Sequence, residues 1–185
     1  MKIVVVSDTH GSKSSWEEVK PYIKDADYIW HLGDVLYHGP RNPLPDGYDP
    51  KSLAEELRKH DIDYVRGNCD ADVDVMVLGL PEMPRIAEEF IGDWKFVKVH
   101  GDQLENSDEV EFARYHDAKV LLRGHNHIPE IEKREGVYII NPGSLSLPKG
   151  GYPKSFATLL FDDENIIATI YSLEGSKIFE EVLSL

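Results

Sequence analysis

The chain has 185 residues, with 20 lysines and arginines against 34 aspartates and glutamates, for a net charge of -14. That length holds one sizeable core, so a single domain over residues 1–185 is expected. The negative field disfavours a duplex nucleic-acid binder, although divalent cations in a site would invert the local sign and admit a small phosphorylated substrate.

One cysteine, Cys69, leaves no internal disulfide framework and points to a reducing compartment, the cytoplasm. The opening apolar run, Ile3 to Val6, is too short for a signal peptide, and no run approaches membrane-spanning length, so no membrane partner is expected.

Taken in chain order, Ile3 to Val6 reads as a buried strand ending before Asp8 and His10. Ser15 with Glu18 forms a capping-box pattern for a helix running toward Lys24, with Pro21 bending it. Asp27 to Leu32 is a second strand that delivers Gly33 and Asp34. Val35 to Pro50 carries Pro40, Pro43, Pro45 and Pro50 and is too rich in proline for a regular element.

A helix follows over Lys51 to His60, then a strand at Tyr64 and Val65 leading into Gly67 and Asn68. Arg85 to Ile91 and Trp94 to Val99 form a hairpin around Gly92 and Asp93, ending at His100. Asp108 to His116 reads as a helix and Val120 to Leu122 as a strand before Gly124, His125 and His127. Val137 to Ile140, Phe156 to Phe161 and Ile166 to Tyr171 complete the strands.

Five strand-like runs are each followed directly by Asp, Asn or His, usually beside a Gly. Groups just past the carboxyl ends of parallel strands converge on one edge, where ligands bind. Asp8 and His10 offer one ion a carboxylate and an imidazole, a pair suited to manganese, iron or zinc. His125 and His127 alternate on a turn whose preceding Gly permits close backbone approach. Each block is weak alone; together Asp8, His10, Asp34, Asn68, His100, His125 and His127 are the candidate metal ligands. The spacing Asp70, Asp72, Asp74 does not make a calcium loop, because its sixth position is Val75 and its twelfth Pro81.

The ordered blocks DTH, GD, GNCD, HG and GHNH resemble the calcineurin-like metallophosphoesterase superfamily. GDVLYHGPRNPLPDGY from Gly33 to Tyr48, NPGS from Asn141 to Ser144, and PKGG from Pro148 to Gly151 resemble its bacterial YfcE-type phosphodiesterases. The resemblance implies an α/β fold, a four-layer αββα sandwich of two mixed sheets flanked by helices, with a binuclear metal site at the strand carboxyl ends. It implies that Asp8, His10 and His127 hold one ion, that Asn68, His100 and His125 hold the other, and that Asp34 bridges them. A bridging hydroxide would then attack phosphorus in line. Two divalent ions per chain are expected, manganese first, with iron, zinc, nickel or cobalt as alternatives.

At Cys69 the sequence departs from the superfamily's commoner histidine, which removes the usual general acid and favours substrates with good leaving groups. Asp34, Asn68 and Asp70 are the expected catalytic residues, Asp70 as an acceptor orienting a ligand histidine, with a plain loop carboxylate as the alternative. Arg41, Cys69 and His38 are expected against substrate, Arg41 gripping a phosphate oxygen through its planar fork. The Lys149 turn lacks Walker-type spacing and reads as structural. His31 reads as a core residue, and His60 and His116 as surface residues at helix ends. The implied function is hydrolysis of small phosphodiesters. The alternatives are a phosphomonoesterase or nuclease of the same superfamily, or a non-catalytic scaffold. Symmetric self-association is common among such enzymes, so a homo-oligomer is admitted.

Overall fold

In the computed structural model, which describes residues 1–104, 108–162 and 165–185, strands and helices alternate through the first half of the chain. The elements run β1 (Lys2–Val6), α1 (Lys13–Ile23), β2 (Tyr28–His31), α2 (Pro50–Leu57), β3 (Asp63–Tyr64), α3 (Asp72–Leu78), β4 (Ile86–Ile91) and β5 (Trp94–Val99). They continue as α4 (Glu109–Tyr115), β6 (Val120–Leu122), β7 (Glu130–Arg134), β8 (Val137–Asn141), β9 (Ser155–Asp162), β10 (Asn165–Ser172) and β11 (Lys177–Leu183).

One sheet has the order β11-β10-β9-β1-β2-β3 and the other β4-β5-β6-β8-β7. Each is mixed: β1, β2 and β3 run parallel, as do β5, β6 and β8, while the outer pairings are antiparallel.

Strand alternation assigns the layers. On β1, Ile3 and Val5 face the second sheet and pack in a core with Trp30, Phe96, Val120, Leu122, Ile140 and Leu159. Val4 and Val6 face the other way, onto Trp16 and Val19 of α1 and Leu53 and Leu57 of α2. On the far side of the second sheet, Val97, Leu121 and Ile139 meet Val110 and Ala113 of α4. The result is helix, sheet, sheet, helix. Each large side chain buried fully in the central layer contributes about 1.5–3 kcal/mol, and Trp30 meets Phe96 edge-on at 5.4 Å between centroids.

Several local expectations are corrected. The cap of α1 is Ser12, whose Oγ accepts from the Ser15 N–H, so the helix begins before the expected box, and Pro21 lies within it. Asp49 caps α2, with Pro50 at the first helical position, where a missing N–H costs nothing. Helix α3 and strands β7 and β11 had no counterpart in the expected elements. His60 is not a free surface residue, since its ring lies edge-on to Trp16 and its Nε2 is buried.

Candidate metal centre

The carboxyl ends of β1, β2, β3, β5 and β6 lie at one edge of the sandwich, and the loops leaving them carry Asp8, Asp34, Asn68, His100 and His125. The first two loops continue to pair beyond their strands: Asp8 N–H donates to the Gly33 carbonyl at 3.1 Å and His10 N–H to the Asp34 carbonyl at 2.9 Å.

Among the described residues, seven non-glycine residues have positive φ, and five of them are Asp8, His10, Asp34, His125 and His127. A left-handed residue other than glycine costs about 1–2 kcal/mol, so the fold carries strain where the candidate ligands gather. Asp and His tolerate this region better than most residues. The turns at Asp8 and His10 send those two side chains to the centre and turn Thr9 away from it, toward His31 and Val35.

Gly33 and Gly67 let the second and third loops touch. A Cβ on Gly67 would lie 2.2 Å from Asp34 Oδ1 and 2.5 Å from Asp34 N, and one on Gly33 would lie 2.5 Å from Gly67 N.

Four imidazoles surround the centre, and backbone carbonyls fix three of them. His10 Nδ1–H donates to Tyr37 O at 2.9 Å, His100 Nδ1–H to Leu32 O at 2.7 Å, and His127 Nδ1–H to Leu147 O at 2.6 Å. Each therefore presents Nε2 inward, the arrangement that suits a metal-ligating histidine. His10 Nε2 and His127 Nε2 face each other at 3.3 Å. His125 turns Nδ1 inward, 3.2 Å from His100 Nε2.

The carboxylates are set by their outer oxygens. Asp8 Oδ2 accepts from Ser7 Oγ at 2.6 Å and from His125 N–H at 3.2 Å. Its Oδ1 is buried with no hydrogen-bond partner among the described residues, 3.3 Å from His127 Nε2, 3.7 Å from His10 Nε2 and 4.0 Å from His100 Nε2. Asp34 Oδ1 accepts from Cys69 N–H at 2.8 Å, and Oδ2 stands between His100 Nε2 at 3.3 Å and His10 Nε2 at 3.7 Å. Asn68 Oδ1 lies 3.2 Å from His100 Nε2.

A buried, orphaned carboxylate oxygen and converging imidazole lone pairs are relieved by a cation, and this mixed O and N set accepts several first-row divalent ions. Among the described residues three sets of side-chain atoms fall within cation-sized clusters: Asp8, His10 and His127; Asp8, Asp34 and His100; and His10, Asp34 and Cys69. In the metal-free protein a proton takes part of that role. Burial opposes charge on His100, but its contact with Asp34 and the charges of Asp8 and Asp34 draw it up to about 9. Burial likewise opposes ionisation of Asp8, yet the neighbouring His127, His100 and His10 hold it below the usual carboxylate range.

Asp70 does not orient a histidine, contrary to expectation. Its carboxylate is spent on the backbone: Oδ2 accepts from Asp34 N–H at 2.8 Å and Gly67 N–H at 2.7 Å, and Oδ1 from Val35 N–H at 2.8 Å. It thus ties the Asp34 loop to the Asn68 loop. Burial pushes its carboxyl up to about 6 despite three donors.

His38, expected against substrate, is packed edge-on to Tyr37 and Tyr48 with Nδ1 buried, and does not line the cavity. His31 accepts the Gly33 N–H at Nδ1, so its Nε2–H donates to Thr9 Oγ1 at 2.9 Å, which donates in turn to Val35 O. Burial takes His31 down to about 3, so it remains a neutral strut.

The centre opens into a cavity of about 750 Å³, lined by Asp34, Asn68, His125 and His127 and by Tyr37, Arg41, Cys69, Asn126 and Lys149. Arg41 and Cys69, both expected against substrate, are on its wall. Burial and Asp34 push the Cys69 thiol up to about 12, so it is protonated at neutral pH.

The sequence reading missed the loop after β8. Ser144 Oγ and Ser146 Oγ both donate to the Asp8 carbonyl, at 2.8 and 2.9 Å. Asn141 Nδ2 donates to Gly124 O and Asn126 Oδ1. The NPGS string was the available signal, but nothing in its composition named the groups it holds.

The calcineurin-like phosphoesterase superfamily domain matches residues 1–164. Phosphodiesterase YfcE of Escherichia coli (strain K12) is 37% identical over 98% of this chain and 97% of its own length. The solved structure of YfcE, described as a phosphoesterase from E. coli, superposes with a TM-score of 0.86 at 35% identity, covering 98% of each chain. Vacuolar protein sorting 29 of Cryptosporidium parvum shares the fold, with a TM-score of 0.74 at 19% identity over 100% of this chain and 98% of its own.

Proposed function

This chain belongs to the calcineurin-like phosphoesterase superfamily, and on that premise we propose that it is a binuclear metal-dependent phosphodiesterase acting on small phosphodiesters. The observation that carries the reading is the buried, unpartnered Asp8 Oδ1 facing the Nε2 atoms of His10, His100 and His127, with Asp34 Oδ2 between two of them.

Asp8, His10 and His127 would hold one ion and Asn68, His100 and His125 the other, with Asp34 shared. When bound, two such ions, manganese in the first instance, would polarise the phosphoryl oxygens and ionise a water at neutral pH. The protein's own residues set the geometry. Carbonyls of Tyr37, Leu32 and Leu147 hold three imidazoles in one tautomer. Asp70 fixes the relative position of the Asp34 and Asn68 loops. Arg41, on the cavity wall, offers a planar donor fork to a phosphate oxygen of the substrate.

The test is hydrolysis of bis-p-nitrophenyl phosphate by manganese-loaded protein, with and without chelator. Asp34→Asn and His127→Ala are expected to abolish turnover while far-ultraviolet circular dichroism stays native. Near-wild-type activity in both variants, or activity indifferent to chelator, would refute the proposal and favour a non-catalytic role.

A further inference from the structure

We propose that the substrate is a substituted diphosphate, cut at its P–O–P bridge, and that Arg41 and Lys149 receive its second phosphate; this rests on the phosphodiesterase reading above.

The wall of the cavity carries the argument. Asp34 is the one acid among the described lining residues, and it is committed to the centre. Beyond the ligand positions the lining offers two cations, Arg41 and Lys149, and neither has a carboxylate within ion-pair distance among the described contacts. In a chain of net charge -14 these two cations give the cavity wall a local reversal of sign.

Both cations are carried on loops registered to the centre. Lys149 N–H donates to the His127 carbonyl at 3.1 Å, and Leu147, two residues earlier, accepts from the His127 ring. The Arg41 turn is closed by Asn42, whose N–H donates to Gly39 O and whose Nδ2 donates to His38 O. Gly39 sits so close to Cys69 that a Cβ there would lie 2.9 Å from its Sγ.

The second strand of the argument is what the wall lacks. Among the described lining residues outside the ligand positions there is neither a carboxylic acid nor an imidazole, so no general acid poised near neutral pH stands beside the leaving group. An alcohol leaving as alkoxide needs that proton. A phosphomonoester, whose last ionisation lies near pH 6, leaves as a stable anion and needs countercharge instead, which Arg41 and Lys149 supply. In the step, a water oxygen bonds to phosphorus, its proton passes to solvent, and the bridging P–O bond breaks with its electron pair departing on the second phosphate. Two phosphomonoesters result, with no change of oxidation state.

The test compares two probes with the same aryl groups, bis-p-nitrophenyl phosphate and P1,P2-bis(p-nitrophenyl) diphosphate, on the manganese-loaded protein, with products assigned by phosphorus NMR. The diphosphate is expected to give two p-nitrophenyl phosphates, with kcat/KM at least tenfold above that of the monophosphate diester. Lys149→Ala should lower kcat/KM on the diphosphate at least tenfold more than on the diester, and Lys149→Arg should restore most of it. Calorimetry with the uncleavable methylene-bridged diphosphonate should show at least tenfold weaker binding to Lys149→Ala than to wild type. The inference is overturned if the diester is hydrolysed while the diphosphate is slower or is cut at its aryl bond, or if Lys149→Ala affects both probes alike. Failure on both probes would instead remove the phosphodiesterase reading itself.

Discussion

Replacing Asp70 with Asn sets two effects against each other. Asp70 is 7% exposed, and its oxygens accept three backbone N–H groups. An asparagine oxygen can keep the pair from Asp34 and Gly67, but its NH₂ then confronts the Val35 N–H, and a stranded buried donor costs about 1–3 kcal/mol. Against this, burial raises the carboxyl from 3.8 to about 6. A group raised in the folded state contributes stability that is fully present below its unfolded pKa and lost as pH rises through the folded one. Above pH 6 the metal-free wild type therefore forgoes about 3 kcal/mol, which Asn does not. Between pH 5 and 8 the difference between wild type and Asp70→Asn should swing by about 1–2 kcal/mol in favour of the variant, a few °C in Tm for a chain of this size. Thermal melts of chelator-treated protein across that range measure it. A destabilisation of the same size at pH 5 and pH 8 would refute the titration, and wild-type metal affinity in the variant would refute the role of Asp70 in tying the two ligand loops.

Two further outcomes follow from the same geometry. His100, drawn up to about 9 in the metal-free protein, must lose its proton to coordinate. Apparent manganese affinity should therefore rise about tenfold per pH unit between 7 and 9, with one proton released per His100 engaged. Calorimetry in buffers of different ionisation enthalpy reads both, and a pH-independent affinity would count against His100 as a ligand. Gly67→Ala places a Cβ 2.2 Å from Asp34 Oδ1 and 2.5 Å from its backbone N, so a rigid neighbour must move. The expected cost is about 1–3 kcal/mol of stability, together with a loss of metal affinity larger than that in Gly92→Ala, where a Cβ meets nothing. Equal affinities in the two variants would contradict the close approach.

What the sequence made legible follows from which physical signals are local. A β-branched run that stops at Asp, Asn or His is visible because both faces of a central parallel strand are buried and the turn beyond it is polar. Strands β1, β5 and β6 and their following ligands were read for that reason. The edge strands β7, EIEKR, and β11, KIFEEVL, were not, since their polar alternation is shared with exposed loops and their strand state comes from pairing with β8 and β10. Helix α3, DVDVMVL, combines aspartates with β-branched residues of low helical preference, and Asp74 at its start is engaged with the Ala71 N–H.

The deeper limit concerns direction rather than identity. The reading found Asp70 but gave its carboxylate to a histidine, and placed His38 on the substrate, because a residue's type does not say which way the backbone turns it. At Asp8 and His10 the φ angles of 56° and 45° decide this: they put the two ligands on one side and Thr9 on the other, where Thr9 and His31 tie the loop to Val35. Asp and His are chosen here for two compatible reasons, donor chemistry and tolerance of the left-handed region. The sequence displays only the first. The strain is held by partners distant in the chain, Ser144 and Ser146 on the Asp8 carbonyl and Asp70 on the Asp34 N–H. The candidate ligands were therefore readable from five short blocks, whereas the groups that aim them emerged only once both sheets were assembled.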